Sequence, residues 1–498
     1  MKFTPHCSSY QQKLLSRMRY LVAAVASLMI MPPSQADAAQ NNIGDLEIYK
    51  AAEGGKVTIT MMLDTSGSMT QTQVGSDACD LPSGVANTTT SYSSNYDTSA
   101  TTPSYRRYYC IGRDNRKYYD RLTRLKDAIF ALMDSTALDS NKVAIGIGQF
   151  SSQSDSNNTT KTADGTSGKI VVPAKLLDNA QRLEIKTAVA NMFGGNGTPA
   201  ANAYAEVGAY MLGETTDDGI NRYENYYVRN SNGNYQYCIN WSGTSCVTWS
   251  SYYSGSNFRA SDWSTLSSRD YYGNYYSGYR LDRGFNKSIS TSKTNNKYQS
   301  PLSSTTSQCD GQGIYFLTDG EPNSSYNPRT LMRAALGSSG AAFNVPTAGN
   351  GTLPNGSQDG HGMPEVGAFA QALRTTTSNP KGLNIKTAVV GFGSDFDLSK
   401  YTNIQRILNV PVLSQNTALP VSPAIYQDKQ DTYFNCSLIT DPDAKNACNW
   451  GAKSHPDLSS VGGYGEGGFY SAQSTQDVVD SLLKFLGDLN NDIPSAPS

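Results

Sequence analysis

The sequence predicts an α/β fold: a doubly wound, mostly parallel central sheet that is flanked by helices and carries long loop insertions. Apolar segments with strand and helix periodicity alternate along the chain, and this alternation indicates a parallel sheet with helices on both faces. The segments are separated by polar stretches much longer than the connections of an ordinary compact domain. With 498 residues, the chain is long enough for two or three domains or for one heavily elaborated domain.

Periodicity assigns the elements in chain order. The predicted strands cover residues 56–63, 142–150, 169–172, 313–319, 385–393 and 467–472. The predicted helices cover residues 119–134, 180–192, 199–212, 363–373 and 475–489. In the first helix, Leu125, Ile129 and Leu132 lie on one apolar stripe. Pro199 is placed in the first turn of the third helix, where proline is tolerated.

The composition predicts a polar but weakly charged surface. Charged residues make up 16% of the chain, against about 25% in an average soluble protein, and the formal net charge is −2. The sequence contains no block of Lys and Arg residues that could bind a phosphate backbone. We therefore do not expect a nucleic-acid partner. The mean hydropathy of −0.47 and the lack of a long apolar run argue against an integral membrane protein.

Residues 1–38 have the pattern of a secretory signal peptide. Basic residues precede the apolar stretch 20–31, two prolines follow it, and small residues surround Ala38. This stretch is too short to cross about 30 Å of hydrocarbon, so we expect cleavage near Ala38, with a retained anchor as the alternative. Residues 39–52 then form an N-terminal linker, and no transmembrane span is expected after signal cleavage.

The cysteines are consistent with export. Seven remain after removal of the signal peptide: Cys79, Cys110, Cys238, Cys246, Cys309, Cys436 and Cys448. All are expected in polar loops, where a disulfide bond formed in an oxidising compartment would restrain the chain. Proximity suggests the pairs 79 with 110, 238 with 246, and 436 with 448, although the connectivity is left open. The absence of a CxxC motif disfavours zinc.

Four long insertions separate the predicted elements, at residues 70–118, 214–312, 323–360 and 394–465. The largest is rich in Tyr, Ser, Gly and Asn. Such a composition combines large aromatic contact area with adaptable hydrogen bonding, and it is also typical of binding loops. A partly ordered surface loop is the alternative interpretation.

Oxygen-bearing side chains follow the first predicted strand and recur at two later positions. Asp64, Ser66 and Ser68 alternate directly after this strand, Thr198 precedes a helix, and Asp319 ends a later strand. All three segments belong to the carboxyl edge of the sheet, where open α/β folds bind their ligands. Oxygen donors suit a hard cation such as Mg²⁺.

Two simpler interpretations of these residues remain open. Asp64, Ser66 and Ser68 are residue types that stabilise turns through hydrogen bonds between side chain and main chain. Thr198 could cap the helix that follows it. Either role is compatible with metal binding.

The motifs resemble the von Willebrand factor A (vWA) domain and its metal-ion-dependent adhesion site (MIDAS). The resemblance is carried by the DxSxS motif that begins at Asp64, the Gly-Thr-Pro turn at Thr198 and the Thr-Asp-Gly at Asp319. It spans residues 53–490 apart from the insertions, and it implies a Rossmann-like vWA fold. In that family, the hydroxyls of Ser66, Ser68 and Thr198 and the carboxylates of Asp64 and Asp319 would hold one divalent cation, some through water. The resemblance implies Mg²⁺, with Mn²⁺ or Ca²⁺ as alternatives, and leaves one coordination position for an acidic side chain of a protein partner.

A narrower resemblance concerns residues 300–323, where a cysteine shortly precedes the strand that carries Asp319. This stretch, the signal peptide and the long insertions resemble type IV pilus tip adhesins of the PilC/PilY type. Those proteins continue into a C-terminal β-propeller, whereas residues 491–498 resemble only the linker that leads into it. The expectations are therefore a truncated or split fimbrial adhesin or a stand-alone A domain.

The expected function is metal-dependent adhesion. The chain would act at the cell surface, on the pilus, or in the periplasm or outer membrane of a bacterium, as a type IV pilus tip adhesin or biogenesis factor. Its partner would be a protein with an acidic side chain, either a host surface or matrix protein or a pilus or minor pilin component. The alternative is a stand-alone secreted vWA protein that binds another extracellular or envelope protein.

An enzyme is the competing class, and we do not expect one. The GxSxG, HExxH and P-loop motifs are absent, and the two histidines outside the signal peptide, His361 and His455, are interpreted as solvated loop residues. A secreted hydrolase with a catalytic set assembled from distant loops is the remaining enzymatic alternative. An intracellular A domain that works with an ATPase is disfavoured by the signal peptide.

Overall fold

The computed structural model describes most of the chain outside its N-terminus. The described ranges are residues 55–151, 167–195, 197–216, 284–302, 310–320, 328–345, 362–409, 430–458 and 463–491. Backbone is also described for four short strands between residues 227 and 276, and for single positions at 306, 322, 323, 325 and 353. The signal-peptide, linker and tail predictions, His361 and most of the Tyr-rich insertion lie outside these ranges.

Six strands form the central sheet. They are β1 (Val57–Asp64), β2 (Val143–Phe150), β3 (Gly168–Leu176), β4 (Gly311–Thr318), β5 (Lys386–Phe392) and β6 (Glu466–Ala472). Their spatial order is β6-β5-β4-β1-β2-β3, and all neighbours are parallel except β2 and β3, which are antiparallel. This is the 3-2-1-4-5-6 order of a doubly wound sheet, so the predicted α/β class and mostly parallel sheet are confirmed.

Helices cover both faces of the sheet. They are α1 (Arg121–Asp134), α2 (Asn179–Ala190), α3 (Ala200–Leu212), α4 (Pro328–Ala335), α5 (Met363–Arg374), α6 (Pro442–Gly451) and α7 (Thr475–Asn491). Apolar residues of α1, α2 and α7 pack in one core, and those of α3 to α6 pack in the other. Successive strand residues alternate between these cores, with Met62 in one and Met61 and Leu63 in the other.

Two details of the helix predictions were wrong. Pro199 precedes the first residue of α3 and is not part of its first turn. Helices α4 and α6 lie within insertions that were predicted as loops. Both helices are short, and the buried stripe of α6 consists mainly of small residues, Ala444, Ala447 and Cys448, with Trp450 beside them.

The insertions also contain strands and short helical turns. Small antiparallel sheets comprise Tyr96–Thr98, Arg106–Ile111 and Lys117–Tyr119; Tyr227–Arg229, Tyr235–Ser242, Ser245–Trp249 and Tyr275–Tyr276; Lys293–Thr294 and Lys297–Tyr298; and Gln405–Asn409 and Gln430–Phe434. Short helical turns in the insertions cover Gln71–Val74, Gly75–Cys79, Gly284–Lys287, Ser290–Ser292, Gly337–Ala342, Ser394–Phe396, Leu398–Lys400 and Cys436–Leu438, and a further turn, Gly67–Met69, directly precedes the first insertion.

A buried glutamate joins part of the largest insertion to the core. Glu206 of α3 accepts hydrogen bonds from the hydroxyls of Tyr298 and Thr216, the latter at 2.8 Å. Burial raises the pKa of Glu206 to about 7, although these hydrogen bonds act in the opposite direction. The segment around Tyr298 is therefore integrated into the fold through a polar contact.

Two of the suggested disulfide bonds are present. Cys79 pairs with Cys110, and Cys436 pairs with Cys448. All four cysteines are buried, and Cys110 lies in a strand and Cys448 in α6, so the prediction that they occupy polar loops was wrong. The bridges restrain two of the insertions, as is typical of proteins from oxidising compartments. The suggested pair of Cys238 with Cys246 and the position of Cys309 lie outside the described side chains.

His455 is also placed differently from the prediction. Its side chain is only 6% exposed, its Nε2 lies 2.7 Å from the carbonyl oxygen of Asn409, and its Nδ1 accepts from the amide of Asp457. The ring packs edge-on against Tyr433 at a centroid distance of 4.7 Å. His455 is therefore a packed structural residue. None of the helices in the described ranges combines the length and apolar character needed to cross a bilayer.

The aromatic cluster under β4 is expected to contribute strongly to stability. Phe316 is fully buried, and its ring lies 4.6 Å from that of Trp450 and 5.0 Å from that of Phe150. We predict that Phe316→Ala lowers the free energy of unfolding by about 3 to 5 kcal/mol, because it leaves a cavity in the core. Ile407→Ala, at a strand position that is 69% exposed, should cost less than about 1 kcal/mol. Urea unfolding of both variants measures the difference, and equal losses would contradict this assignment of the core.

Candidate functional site

The candidate site lies where the strand order reverses. Asp64 is the last residue of β1, Asp319 follows the end of β4, and these two strands are parallel neighbours. From β1 the chain continues to β2 on one side, and from β4 it continues to β5 on the other. The crevice outside the carboxyl ends of such strands is the usual ligand position in an open α/β sheet.

Asp64 holds the two strand ends together. Its Oδ1 accepts a hydrogen bond from the amide of Ser66 at 2.7 Å, which tightens the turn after β1. Its Oδ2 accepts from the hydroxyl of Thr318 at 3.1 Å and from the amide of Asp319 at 3.2 Å. The side chain of Asp64 is fully buried, so all these bonds are shielded from water.

The two serine hydroxyls meet the second carboxylate. Ser68 Oγ donates to Asp319 Oδ1 at 2.8 Å, and Ser66 Oγ lies 3.4 Å from the same oxygen. The two hydroxyl oxygens are 3.0 Å apart. Asp64, Ser66, Ser68 and Asp319 thus form one hydrogen-bonded cluster, although Asp319 is 251 residues from Ser68 along the chain.

Thr198 belongs to a loop that packs on this cluster. The amide of Gly195 donates to the carbonyl oxygen of Thr65 at 3.0 Å, which fastens the loop to the turn after β1. Thr198 is buried, and its main-chain amide and carbonyl both bond to Asn323, each at 2.9 Å. The loop that contains Thr198 is therefore bonded to the segment after Asp64 and to the segment after Asp319. The hydrogen bonds of Thr198 itself are made by its main chain.

A buried arginine completes the polar surroundings. Arg121, the first residue of α1, donates from Nη1 to Asp319 Oδ2 at 3.1 Å. Its Nε and Nη2 bond to Asp80 of the first insertion, and Nη2 also contacts Ser394 Oγ at 3.2 Å. Asp80 additionally pairs with Arg124. Two insertions therefore reach the site through Arg121.

The start of α1 is fixed beside the turn by its capping residue. Asp120 Oδ1 accepts from the amide of Thr123 at 2.8 Å, as an N-cap does. Its Oδ2 accepts from the hydroxyl of Thr70 and the amide of Gln71, at 3.0 and 3.1 Å. This cap places Arg121 against the residues that follow Ser68.

The electrostatics of the two carboxylates differ from those of surface aspartates. Burial raises the pKa of Asp64 well above its ordinary value, and the charge of Asp319 raises it further. Burial also raises the pKa of Asp319, an effect that Arg121 and the hydrogen bond from Ser68 oppose. Burial raises the pKa of Asp80 too, but its bonds to Arg121 and Arg124 outweigh this and leave the pKa below the ordinary value. Arg121 therefore favours the charged form of Asp319, whereas only hydrogen bonds, from Ser66 and from the amide of Asp319, act in that direction on Asp64.

The chemistry of the cluster fits a hard cation. Two buried carboxylates and two hydroxyls supply oxygen donors only, which Mg²⁺ prefers. Within the described parts of the chain, no three His, Cys, Asp or Glu side chains form a group that could hold a metal ion. A site here would therefore depend on the hydroxyls of Ser66 and Ser68 and, by the vWA resemblance, of Thr198.

Sequence patterns did not identify Arg121, Asp80 or Asn323 as parts of the site. Asp80 lies in an insertion without periodicity, and its pairing with Arg121 spans 41 residues. One local signal was available. A basic residue at the start of a predicted helix opposes the helix dipole, and such a position calls for a compensating acidic partner.

Neither family models nor curated proteins match the sequence. Among solved structures, a similar one is the pilus adhesin SpaC from Lactobacillus rhamnosus GG, with 12% identity and a TM-score of 0.32 over 89% of this chain and 31% of that chain. Another is a mutant of the PilB minor pilin from Streptococcus sanguinis, with 10% identity and a TM-score of 0.26 over 88% of this chain and 61% of that chain. Because both TM-scores are below 0.5, these similarities do not establish a shared fold.

Proposed function

We propose that this chain is a cation-dependent protein-binding module of the bacterial cell surface, with a type IV pilus adhesin or biogenesis factor as the specific form. The observation that carries the proposal is the cluster of Asp64, Ser66, Ser68 and Asp319 at the carboxyl ends of β1 and β4. It combines an all-oxygen donor set with the position at which doubly wound sheets bind ligands.

The charge balance of the cluster supports a divalent cation as its complement. Asp64 and Asp319 are both fully buried, but Arg121 pairs only with Asp319. A second positive charge would relieve the repulsion between the two carboxylates. A bound Mg²⁺ would supply that charge and would accept an acidic side chain of the partner as a further ligand. The protein's own part is to hold the carboxylates and the hydroxyls of Ser66 and Ser68 in place before the partner arrives.

The state of His455 argues against one catalytic alternative, in which this histidine acts as a general base. Both ring nitrogens are engaged with main-chain groups, and the side chain is packed against Tyr433. It is therefore poorly suited to serve as a general base. The vWA resemblance of the motifs supports adhesion as the binding role.

The pilus assignment is supported by the resemblance of residues 300–323 to tip adhesins and by the signal-peptide pattern of residues 1–38. The two buried disulfide bonds are consistent with a secreted protein. A stand-alone secreted protein that binds another envelope protein is the second candidate. Binding of the purified protein to isolated type IV pili and to host-cell surfaces, measured in parallel, distinguishes pilus components from host proteins as partners.

We predict that binding requires both the cation and Asp64. Removal of Mg²⁺ with EDTA, or the substitution Asp64→Ala, should raise the Kd for the bound surface about tenfold or more, because one charge-assisted contact is worth about 1.5 to 3 kcal/mol. Surface plasmon resonance or flow cytometry with labelled protein measures the Kd. Asp134→Ala, at the far end of α1 with a side chain that is 60% exposed, is the matched control and should bind as the native chain does. Equal binding with Mg²⁺ and with EDTA would contradict the proposal.

We also predict an unusual pH dependence of stability in the absence of divalent cations. Because burial raises the pKa of Asp64 and Asp319, the folded state holds protons more tightly than the unfolded state, and this contribution is lost as the pH rises through the raised pKa values. The free energy of unfolding, measured with urea in EDTA, should therefore be lower at about pH 8 than at about pH 5. The substitution Asp64→Asn should make this difference smaller.

A surface carboxylate provides the control for that experiment. The pKa of Asp97 lies below its ordinary value, chiefly because of the hydrogen bond from Lys117. The contribution of the Asp97 carboxylate to stability is therefore lost only below the ordinary carboxyl pKa. In the Asp97→Asn variant, the free energy of unfolding should therefore change between about pH 5 and about pH 8 by the same amount as in the native chain. If Asp64→Asn and Asp97→Asn gave the same pH dependence as the native chain, the predicted repulsion at the site would be wrong.

A further inference from the structure

Arg121 is held at the site with unusual firmness. Its side chain is only 5% exposed, and its guanidinium contacts Asp319, Asp80 and Ser394 at once. Burial opposes its charge, but Asp80 and Asp319 more than offset this and raise its pKa above the ordinary value. The guanidinium is therefore a permanent positive charge beside the oxygen cluster.

The surrounding backbone is shaped to admit this side chain. Gly393, directly after β5, has a φ of +104°, and a Cβ at this position would lie 2.4 Å from Arg121 Nε. A residue with a side chain would be strained there and would also displace the guanidinium. In addition, an arginine at the start of a helix opposes the helix dipole. Features that break local rules in this way are typical of functional positions.

The arginine limits what Asp319 can offer to a ligand. Oδ2 is paired with Arg121, whereas Oδ1 faces the hydroxyls of Ser66 and Ser68. Asp64 is restricted as well, because its two oxygens accept from the amides of Ser66 and Asp319 and from Thr318. Asp319 can therefore bind an ion through both oxygens only if Oδ2 gives up its pair with Arg121, and Asp64 has Oδ1, which accepts a single bond, as its less occupied oxygen.

We propose that Arg121 determines the cation specificity of the site by keeping Asp319 from chelating an ion with both oxygens. The proposal rests on the proposed function. Ca²⁺ takes six to eight oxygen ligands and often uses bidentate carboxylates, whereas Mg²⁺ is usually bound through one or two carboxylates and keeps several waters. Arg121 thus favours Mg²⁺ or Mn²⁺ over Ca²⁺. Asp80 is a positioning residue, since it holds the far side of the guanidinium.

Arg121→Gln tests this assignment on the full mature chain. Isothermal titration calorimetry with MgCl₂ and with CaCl₂ gives the two Kd values, and thermal unfolding with each salt provides an independent reading. Loss of the positive charge should strengthen binding of both ions. Release of Asp319 Oδ2 should strengthen binding of Ca²⁺ more than binding of Mg²⁺, because Ca²⁺ often uses both oxygens of a carboxylate. We expect the ratio of the Kd for Ca²⁺ to the Kd for Mg²⁺ to fall about tenfold, as one additional charged ligand would produce.

Arg124→Gln is the matched control. Arg124 also pairs with Asp80, and it belongs to the same helix, but its recorded contacts are with Asp80, the carbonyl oxygen of Gln473 and the ring of Phe392. Its substitution removes the same charge from the same network without freeing Asp319. The Ca²⁺ to Mg²⁺ ratio should therefore stay within about twofold of the native value, because Asp319 Oδ2 remains paired.

Arg121→Lys keeps the test decisive if the glutamine variant does not fold. A single ammonium retains the charge but cannot reproduce the fork that serves Asp80 and Asp319 together, so a smaller shift of the ratio toward Ca²⁺ is expected. An unchanged ratio in the folded Arg121 variants, with both ions still bound, would overturn the specificity role and leave the proposed function intact. A native chain that binds neither ion would overturn both.

Discussion

The parallel pairing of β1 with β4 is the constraint on which the rest of the site depends. In this register Leu63 is opposite Leu317, so Asp64 reaches the hydroxyl of Thr318 and the amide of Asp319. A shift of one residue would turn one of the two carboxylates toward the opposite face of the sheet. The apolar residues of both strands are buried on alternate faces, and this alternation fixes the register. Packing of the core therefore determines where the charges meet.

The insertions are part of the site's construction. The disulfide bond between Cys79 and Cys110 closes a loop. Asp80, the first residue of this loop after Cys79, binds Arg121. The last insertion begins at Ser394, which contacts the same guanidinium. Residues that interrupt the alternation of strands and helices thus set the charge beside Asp319. For this reason we regard the first and last insertions as determinants of the charge at the crevice.

The sequence predicted the central strands and the cluster much better than it predicted the surroundings of the cluster. Strands of a buried parallel sheet are continuous apolar runs, and a polar residue at their carboxyl end is visible without coordinates, as for Asp64 and Asp319. Arg121 and Asp80 form a contact between a helix and an insertion, and no periodicity links them. For α6 the sequence did carry a start signal, since Asp441 caps the helix and Pro442 is its first residue, but the helix is short and lies within a long polar insertion.

The energetics of the crevice provide the strongest argument for a ligand. Placing two carboxylates side by side in a water-excluded environment is costly, and one guanidinium pairs with only one of them. Hydrogen bonds to Ser66, Thr318 and the amide of Asp319 reduce the cost for Asp64 but bring no formal charge. A fold selected for stability alone would replace Asp64 with a neutral residue that can bond to the same groups. A cation from outside the chain, as proposed above, would supply the charge that Arg121 does not bring to Asp64.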